Sequence, residues 1–266
     1  MAYTIHGATE PFVFIFILFF FFINAMHFSP FQLSMVEAMQ DGDYHEEEGS
    51  EGSMTESERM SFYAVAEALN PSMAWRDLYP DPCLDPPQGS ACEQFEDNYY
   101  SLTALTFGPI YDNTPYCSHD AWIHPSISNL TRLRTLTFYR CFVGNTASLP
   151  PDIALLNETL RVLSLRGNSG LIGPIPAEFG RLLHLERFVA NGNGLQGHVP
   201  QELGSLQRLR QLDLSNNKLE GEVPSSIFKL KELVVLDLSR NRLSGDVSPQ
   251  TFMGLNSLVK LDLSKN

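Results

Sequence analysis

The sequence predicts an α/β solenoid, a curved coil of stacked units with a parallel concave β-sheet and a disulfide-stapled N-terminal cap. Three observations predict this fold class. Similar segments recur at a step of 24 residues, apolar residues alternate within each segment as in a short strand, and cysteines precede the first segment. Because one such coil cannot bury its own apolar side, neighbouring coils must stack to form a continuous core.

The register of the repeat is strict. Leucines, glycines and prolines each recur 24 residues apart, at Leu171, Leu195, Leu219, Leu243, Gly173, Gly197, Gly221, Gly245, Pro176, Pro200 and Pro224. A segment of the form LxxLxLxxN precedes each glycine or ends the chain, with its last residue at Asn168, Asn193, Asn217, Asn241 and Asn266. An earlier copy, LRTLTFYRC, has Cys141 in place of the asparagine. The chain therefore contains about six repeats.

Each recurring residue type has a structural reason. Leu212 and Leu214 of one LxL pair point to the same side of a strand and are predicted to fill the coil. Asn217 follows at a sharp turn, where its amide can donate to and accept from backbone groups that would otherwise be unpaired. Gly221 suits a backbone with positive φ, and Pro224 suits a position that needs no N–H donor.

These segments resemble the plant extracellular type of leucine-rich repeat, whose motif runs LxxLxLxxNxLxGxIP, from residue 127 to the end. The preceding stretches YAVAEALNPSMAWRDLYPDPC and LTALTFGPIYDNTPYC resemble the Piriformospora-indica-insensitive subgroup of plant leucine-rich-repeat receptor-like proteins. This resemblance implies a cap helix over residues 63–70 and a first strand over residues 102–107. It also implies that four side chains pack inside the cap, namely Ala64, Val65, Leu69 and Trp75.

Four regions are predicted along the chain: a signal peptide (1–25), an acidic disordered linker (26–59), the N-terminal cap (60–126) and the repeats (127–266), the last one truncated. The apolar run FVFIFILFFFFI has the length of a signal-peptide core and is short for a membrane span, although a signal anchor is an alternative. After cleavage we expect no membrane anchor. The linker stretch DGDYHEEEGSEGSMTESE contains no Lys or Arg and is too polar to form a core.

The four cysteines of an exported chain suggest disulfides. Cys83 and Cys92 lie just before the repeats, where a solenoid needs a stapled cap. We predict that Cys117 bonds Cys141 as the second pair, although four cysteines allow three connectivities and Cys141 could also be a small buried residue in place of asparagine.

Two sequons add to the case for secretion. They place glycosylation at Asn129 and Asn157. The predicted location is secreted or on the extracellular face of the plasma membrane.

The composition and motifs argue against an enzyme, a metal site, a cofactor and nucleic-acid binding. The formal net charge is −13, and no phosphate loop or nucleophile elbow is found. Asp213, Asp237 and Asp262 should stack on neighbouring strands at a spacing near that of a retaining glycosidase pair. An open sheet keeps such carboxylates solvated, so we expect them to bond nearby serines instead. His119 and His124 lack the second ligand pair of a zinc site.

The outward positions of the predicted sheet are the candidate binding residues, since solenoids bind partners on extended concave surfaces. The N-terminal half is basic and aromatic, and the C-terminal half is acidic. The candidates are Tyr139, Arg140, Arg166, Arg187, Asn191, Asp213 and Asp237. Aromatic and arginine side chains are the usual anchors of protein interfaces.

The first functional hypothesis is a secreted or cell-surface recognition protein that binds a peptide or protein ligand. The resemblance implies a role in plant growth or microbe response, with signalling through a partner such as a membrane receptor kinase. A soluble inhibitor of a secreted cell-wall hydrolase is the second hypothesis. A truncated gene product without independent function is the third.

Overall fold

The computed structural model describes residues 52–246 and 248–266. The predicted signal peptide and most of the predicted linker lie outside these residues. Two helices come first, α1 (Glu56–Leu69) and α2 (Trp75–Leu78). The strands that follow are β1 (Ala91–Gln94), β2 (Tyr100–Phe107), β3 (Thr135–Tyr139), β4 (Ala147–Ser148), β5 (Val162–Arg166), β6 (Leu171–Gly173), β7 (Arg187–Val189), β8 (Gly194–His198), β9 (Gln211–Asp213), β10 (Lys218–Glu222), β11 (Val235–Asp237), β12 (Arg242–Ser244) and β13 (Lys260–Asp262).

The strands form two sheets. The larger sheet has eight strands in the order β1-β2-β3-β5-β7-β9-β11-β13, and all neighbours are parallel except β1, which is antiparallel to β2. Six of these strands come from the six predicted repeats, so the predicted solenoid with its parallel sheet is confirmed. The smaller sheet, β12-β10-β8-β6-β4, was not predicted. It forms because each coil turns again after its asparagine and aligns a second short strand with its neighbours.

Short 3-10 helices close the coils on the other side of the core. They span Pro125–Asn129, Pro151–Leu156, Ala177–Arg181, Gln201–Ser205, Ile227–Lys229 and Pro249–Gly254. Leu203 and Leu206 at one such turn and Leu212 on the following strand are all fully buried in one cluster. The inward leucines of strand and turn therefore meet in the continuous core that stacking requires.

The asparagines form a ladder of side-chain hydrogen bonds between coils. The Asn217 side chain accepts from the Leu195 N–H at 3.1 Å and donates to the Ala190 carbonyl oxygen at 2.7 Å. The Asn241 side chain makes the equivalent bonds to Leu219 and Leu214. Each amide thus satisfies a donor and an acceptor of the preceding coil, as the sequence predicted.

The predicted backbone at Gly221 is also confirmed, with φ at +77°. A second position with positive φ, directly before the asparagine of each repeat, was not predicted. Arg140, Asn216 and Arg240 adopt φ between 51° and 55° there. The left-handed conformation is costly for residues with a side chain. Each turn must therefore be stabilised by the ladder that follows it.

The cap helix begins earlier than predicted. Helix α1 starts at Glu56, where the Thr55 side chain accepts from the Glu58 N–H at 3.4 Å. Met54 is also buried, at 1% exposure, and pairs with Tyr100 as an isolated bridge. Residues 52–59, assigned to a disordered linker, are therefore folded, because this end of the acidic stretch supplies an N-cap and an apolar anchor.

The buried side of α1 differs from the prediction at one residue. Val65 and Leu69 are buried as predicted, but Ala64 is only half-buried and Ala66 is buried in its place. The prediction for Ala64 is therefore wrong. Trp75 is 1% exposed beneath the helix, as predicted.

Both disulfides have the predicted connectivity. Cys83 bonds Cys92, and Cys117 bonds Cys141. The first closes a loop beside β1 in the cap. The second ties the cap loop after β2 to the turn after β3, where the repeat lacks its asparagine. The bond therefore joins cap and first repeat at the position where the ladder begins.

Candidate functional site

A shallow concavity of about 490 Å³ lies on the concave face, defined here as the outward side of the eight-stranded sheet. Its lining combines an apolar wall, hydroxyl groups, one phenol ring and one guanidinium group. The lining residues are Pro109, Ile110, Thr137, Tyr139, Ser164 and Arg166. We call this the Tyr139 concavity. It belongs to the N-terminal half of the face, where the sequence placed its aromatic and basic candidates.

Strand alternation places the polar lining residues. Leu136 and Phe138 of β3 are fully buried, so Thr137 and Tyr139 between and after them face outward. Strand β5 lies in register with β3 and pairs Tyr139 with Arg166. The two candidate anchors are therefore direct neighbours across adjacent parallel strands.

The apolar wall comes from the loop after β2. Gly108 has φ at +101°, and a Cβ atom there would overlap the carbonyl oxygen of Tyr139. Its N–H donates to the Pro115 carbonyl oxygen at 2.8 Å. Glycine thus lets the loop approach β3 closely enough for Pro109 and Ile110 to border the concavity. Repeat analysis missed these two residues because they precede the first repeat.

Arg187 does not join this group. Strand β7 pairs Arg187 with Val162, at the opposite end of β5 from Arg166. Those ends are four residue steps apart along the strand, a distance of about 13 Å. Arg166 and Arg187 therefore lie at two separate positions on the half of the face that was predicted to be basic.

Arg140 and Asn191 lie beyond the ends of β3 and β7 and are not among the residues that line the concavity. Arg140 lies in the turn that ends β3, with its N–H donating to the Arg166 carbonyl oxygen at 2.9 Å. It follows the last residue of β3 and has a left-handed backbone, with φ at +51°. Asn191 follows β7 and accepts through its backbone oxygen from the Gly167 N–H, one residue after Arg166. Its side-chain oxygen is buried and has no hydrogen-bond partner among the described residues.

The C-terminal half of the face contains the predicted acidic row. The registers of β9, β11 and β13 align Asp213, Asp237 and Asp262. Asp213 accepts from the Ser215 hydroxyl at 2.6 Å, and Asp237 accepts from the Ser239 hydroxyl at 2.7 Å. The expected local bonding to serines is confirmed.

Asp237 is the most enclosed of these carboxylates. It is 7% exposed, and Lys260 Nζ lies 2.9 Å from its Oδ2. Burial acts to raise the pKa of Asp237, but the hydrogen bonds from Ser239 and Lys260 outweigh burial and hold that pKa below its usual value. The carboxylate is therefore ionised and already paired, which makes it a poor ligand group.

This pairing predicts a pH-dependent contribution to stability. We expect Asp237→Asn to lower the free energy of unfolding by about 1 kcal/mol at pH 7. Because the folded-state pKa is lowered, the contribution is present above the unfolded pKa and is lost as the pH falls through the folded pKa. Urea unfolding at pH 7 and at progressively lower pH measures the difference between variant and wild type. A difference independent of pH would contradict this account.

Asp213→Asn is the matched control. Asp213 occupies the same register position and bonds its own serine, but it forms no ion pair with a lysine among the described residues. If Asp213→Asn loses less free energy of unfolding than Asp237→Asn, the difference is assigned to the ion pair between Asp237 and Lys260.

The described part of the chain shows neither a metal site nor a membrane span. Within residues 52–246 and 248–266, no cluster of three or more His, Cys, Asp or Glu side chains could hold a metal ion. His124 accepts from the Ser126 N–H as a local cap, and His119 lies 3.2 Å from Asp120. Among the helices described, none is both long enough and apolar enough to cross a bilayer.

Comparison with known proteins identifies the family. A model of the leucine-rich repeat region matches residues 132–266, half of the chain. The chain belongs to the leucine-rich-repeat family. Piriformospora indica-insensitive protein 2 of Arabidopsis thaliana is 37% identical over 149 residues, which cover 55% of this chain and 35% of that protein. The predicted resemblance to plant leucine-rich-repeat receptor-like proteins is confirmed.

A second curated protein and a solved structure are also similar to this leucine-rich-repeat protein. Protein TOO MANY MOUTHS of Arabidopsis thaliana is 36% identical over 141 residues, which cover 52% of this chain and 28% of that protein. The crystal structure of a pollen receptor kinase 3 has a TM-score of 0.53 and 27% identity, over 70% of this chain and 82% of that chain. The chain spans only about a third of the length of the curated relatives it matches.

Proposed function

We propose that this leucine-rich-repeat chain is an extracellular recognition module that binds a peptide or protein ligand on its concave face. It would act in plant growth or microbe-response signalling through a membrane receptor kinase. The observation that carries the proposal is the Tyr139 concavity, an open site of about 490 Å³ where an aromatic ring and a guanidinium group adjoin an apolar wall. Such side chains are the common anchors of protein interfaces.

The chemistry of the concave face favours binding over catalysis. Hydrogen bonds donated by Ser264 hold the pKa of Asp262 below its usual value. Hydrogen bonds donated by Ser239 and Lys260 do the same for the pKa of Asp237. These carboxylates cannot serve as proton donors at neutral pH. Burial raises the pKa of Glu58, but that carboxylate accepts from the Leu102 N–H inside the cap. We therefore propose no enzymatic role.

The proposed location is outside the cell or at its surface. The receptor-like relatives support it, and so does the predicted signal peptide, which lies outside the described residues. Asn129 is exposed at the end of a 3-10 turn and Asn157 is half-buried at the end of the next one. Both sequons are thus on the opposite side of the core from the concave face, and glycans there would leave that face open. Mass spectrometry of the secreted chain checks their occupancy.

The binding test uses variants of the concave face. We expect the secreted full chain, once immobilised, to retain specific peptides or proteins from plant extracellular fluid. Replacing Tyr139, Arg166 and Arg187 together with alanine should weaken that binding at least tenfold, which corresponds to a loss of about 1.4 kcal/mol or more. Affinity is measured by calorimetry with each retained component.

The control is Arg181→Ala, which removes an exposed arginine from a 3-10 turn opposite the face. Unchanged affinity in the triple variant would move the ligand site away from the concave face. Equal losses in both variants would indicate a non-specific charge effect.

A further inference from the structure

The Tyr139 concavity also indicates the chemistry of its ligand. We infer that this site takes an anionic group adjacent to an apolar side chain, with Arg140 and Arg166 binding the anion. The inference rests on the proposed function and adds a ligand class to it: an acidic peptide segment with an apolar neighbour.

The first argument is the pairing of arginines. In the described part of the chain, six arginines of the cap and the flanks lie against carboxylates. These pairs are Arg59–Glu56, Arg76–Glu67, Arg132–Asp97, Arg134–Glu93, Arg161–Glu186 and Arg210–Glu232. Arg140 and Arg166 are exposed, yet within residues 52–246 and 248–266 neither side chain forms an ion pair or a hydrogen bond. Their donors are therefore available to a ligand.

The second argument is their placement around one ring. A Cβ atom added to Gly167 would lie 3.1 Å from Cγ of Arg140 and 4.0 Å from Cε2 of Tyr139. The Arg140 stem and the Tyr139 ring thus both adjoin Gly167, the residue directly after Arg166. Arg140 and Arg166 belong to adjacent coils at the same end of their strands, and we therefore assign both to one ligand group.

The third argument is the composition of the lining. Among the described residues, no carboxylate lines the concavity, so none of them there competes for the guanidinium groups or repels an anion. The opposite wall consists of Pro109 and Ile110, and Ile110 is 38% exposed. An apolar ligand side chain on this wall would lie beside the anion. Arginine binds carboxylates and phosphate groups through paired hydrogen bonds, so both anions share this chemistry.

The experiment selects ligands without assuming a sequence. A phage library of random dodecapeptides is panned against the disulfide-bonded chain and counter-selected on the double variant Arg140→Gln, Arg166→Gln. Glutamine keeps much of the side-chain length and removes the charge. We expect the enriched peptides to contain Asp or Glu beside an apolar residue, and to bind the double variant at least tenfold more weakly.

Arg181→Gln is the matched control, because Arg181 is exposed on a 3-10 turn opposite the concave face. It should leave affinity within twofold. Changing the acidic residue of the best peptide to Asn should weaken its affinity at least tenfold. Changing that residue to phosphoserine compares the affinity of the site for a phosphate group with its affinity for a carboxylate. Selected peptides without an acid would overturn the inference, and so would equal losses for Arg181→Gln and the double variant.

The two proposals can fail separately. If components retained from extracellular fluid depend on Tyr139 but bind the double variant normally, the ligand class is wrong and the recognition function stands. If those components bind all concave-face variants normally, the proposed function fails at this site. A library that yields no peptide distinguishing wild type from the double variant would also overturn the ligand class.

Discussion

Replacing Trp75 with alanine is expected to lower the free energy of unfolding by about 3–5 kcal/mol. Trp75 is 1% exposed, and its ring centroid lies 6.0 Å from that of Phe62 and 5.7 Å from that of Phe107. Its indole N–H donates to the Asn70 carbonyl oxygen at 2.8 Å. The variant would leave a cavity between α1 and β2 as well as an unpaired acceptor. Urea unfolding followed by circular dichroism measures the loss.

The chain offers a matched control in its second tryptophan. Trp122 is 47% exposed and contacts the ring of His124 at a centroid distance of 5.0 Å. We expect Trp122→Ala to change the free energy of unfolding by only about 0.5 kcal/mol. Similar losses in the two variants would contradict the assignment of Trp75 to the cap core.

Replacing Asn193 with alanine is expected to lower the free energy of unfolding by about 2–4 kcal/mol. The Asn193 side chain donates to the Leu165 carbonyl oxygen at 2.7 Å and accepts from the Asn168 N–H at 2.8 Å. Leu165 and Asn168 are both fully buried, so water cannot replace the lost bonds. The same urea titration measures the change.

Asn191→Ala is the control for the ladder. Asn191 lies two residues earlier in the same coil, is half-buried, and its side-chain oxygen already has no partner in the described structure. We expect a change of no more than about 0.5 kcal/mol. If Asn193→Ala were as mild as this control, the ladder would not be a main source of cohesion between coils.

The cap shows where local sequence and fold agree and where they differ. The position of Trp75 and both cysteine pairs followed from the sequence and from the resemblance of the cap. The start of α1 did not, because Glu56 and Glu58 belong to an acidic stretch whose composition favours disorder. Only the fold provides the partners that stabilise it, including the Leu102 N–H that donates to the Glu58 carboxylate at 2.9 Å.

The candidate site shows the same division. Strand alternation by itself predicted that Tyr139 and Arg166 face outward. The structure shows that they are neighbours across β3 and β5. The list of candidates grouped Arg187 with them, although β7 places it at the other strand end. Pro109 and Ile110 belong to no repeat, so the repeat pattern could not show that they complete the wall of the concavity.

By itself, the sequence determined the solenoid, the six repeat strands, the ladder asparagines and the family, because each depends on interactions that recur at a fixed step along the chain. Only the tertiary structure decided the smaller sheet, the left-handed turn at Arg140 and the grouping of Arg140 and Arg166 around the Tyr139 ring. The smaller sheet and the left-handed turns recur with the repeat, but they depend on backbone contacts between adjacent coils. The loop that supplies Pro109 and Ile110 lies outside the repeats, so its packing leaves no periodic pattern in the sequence.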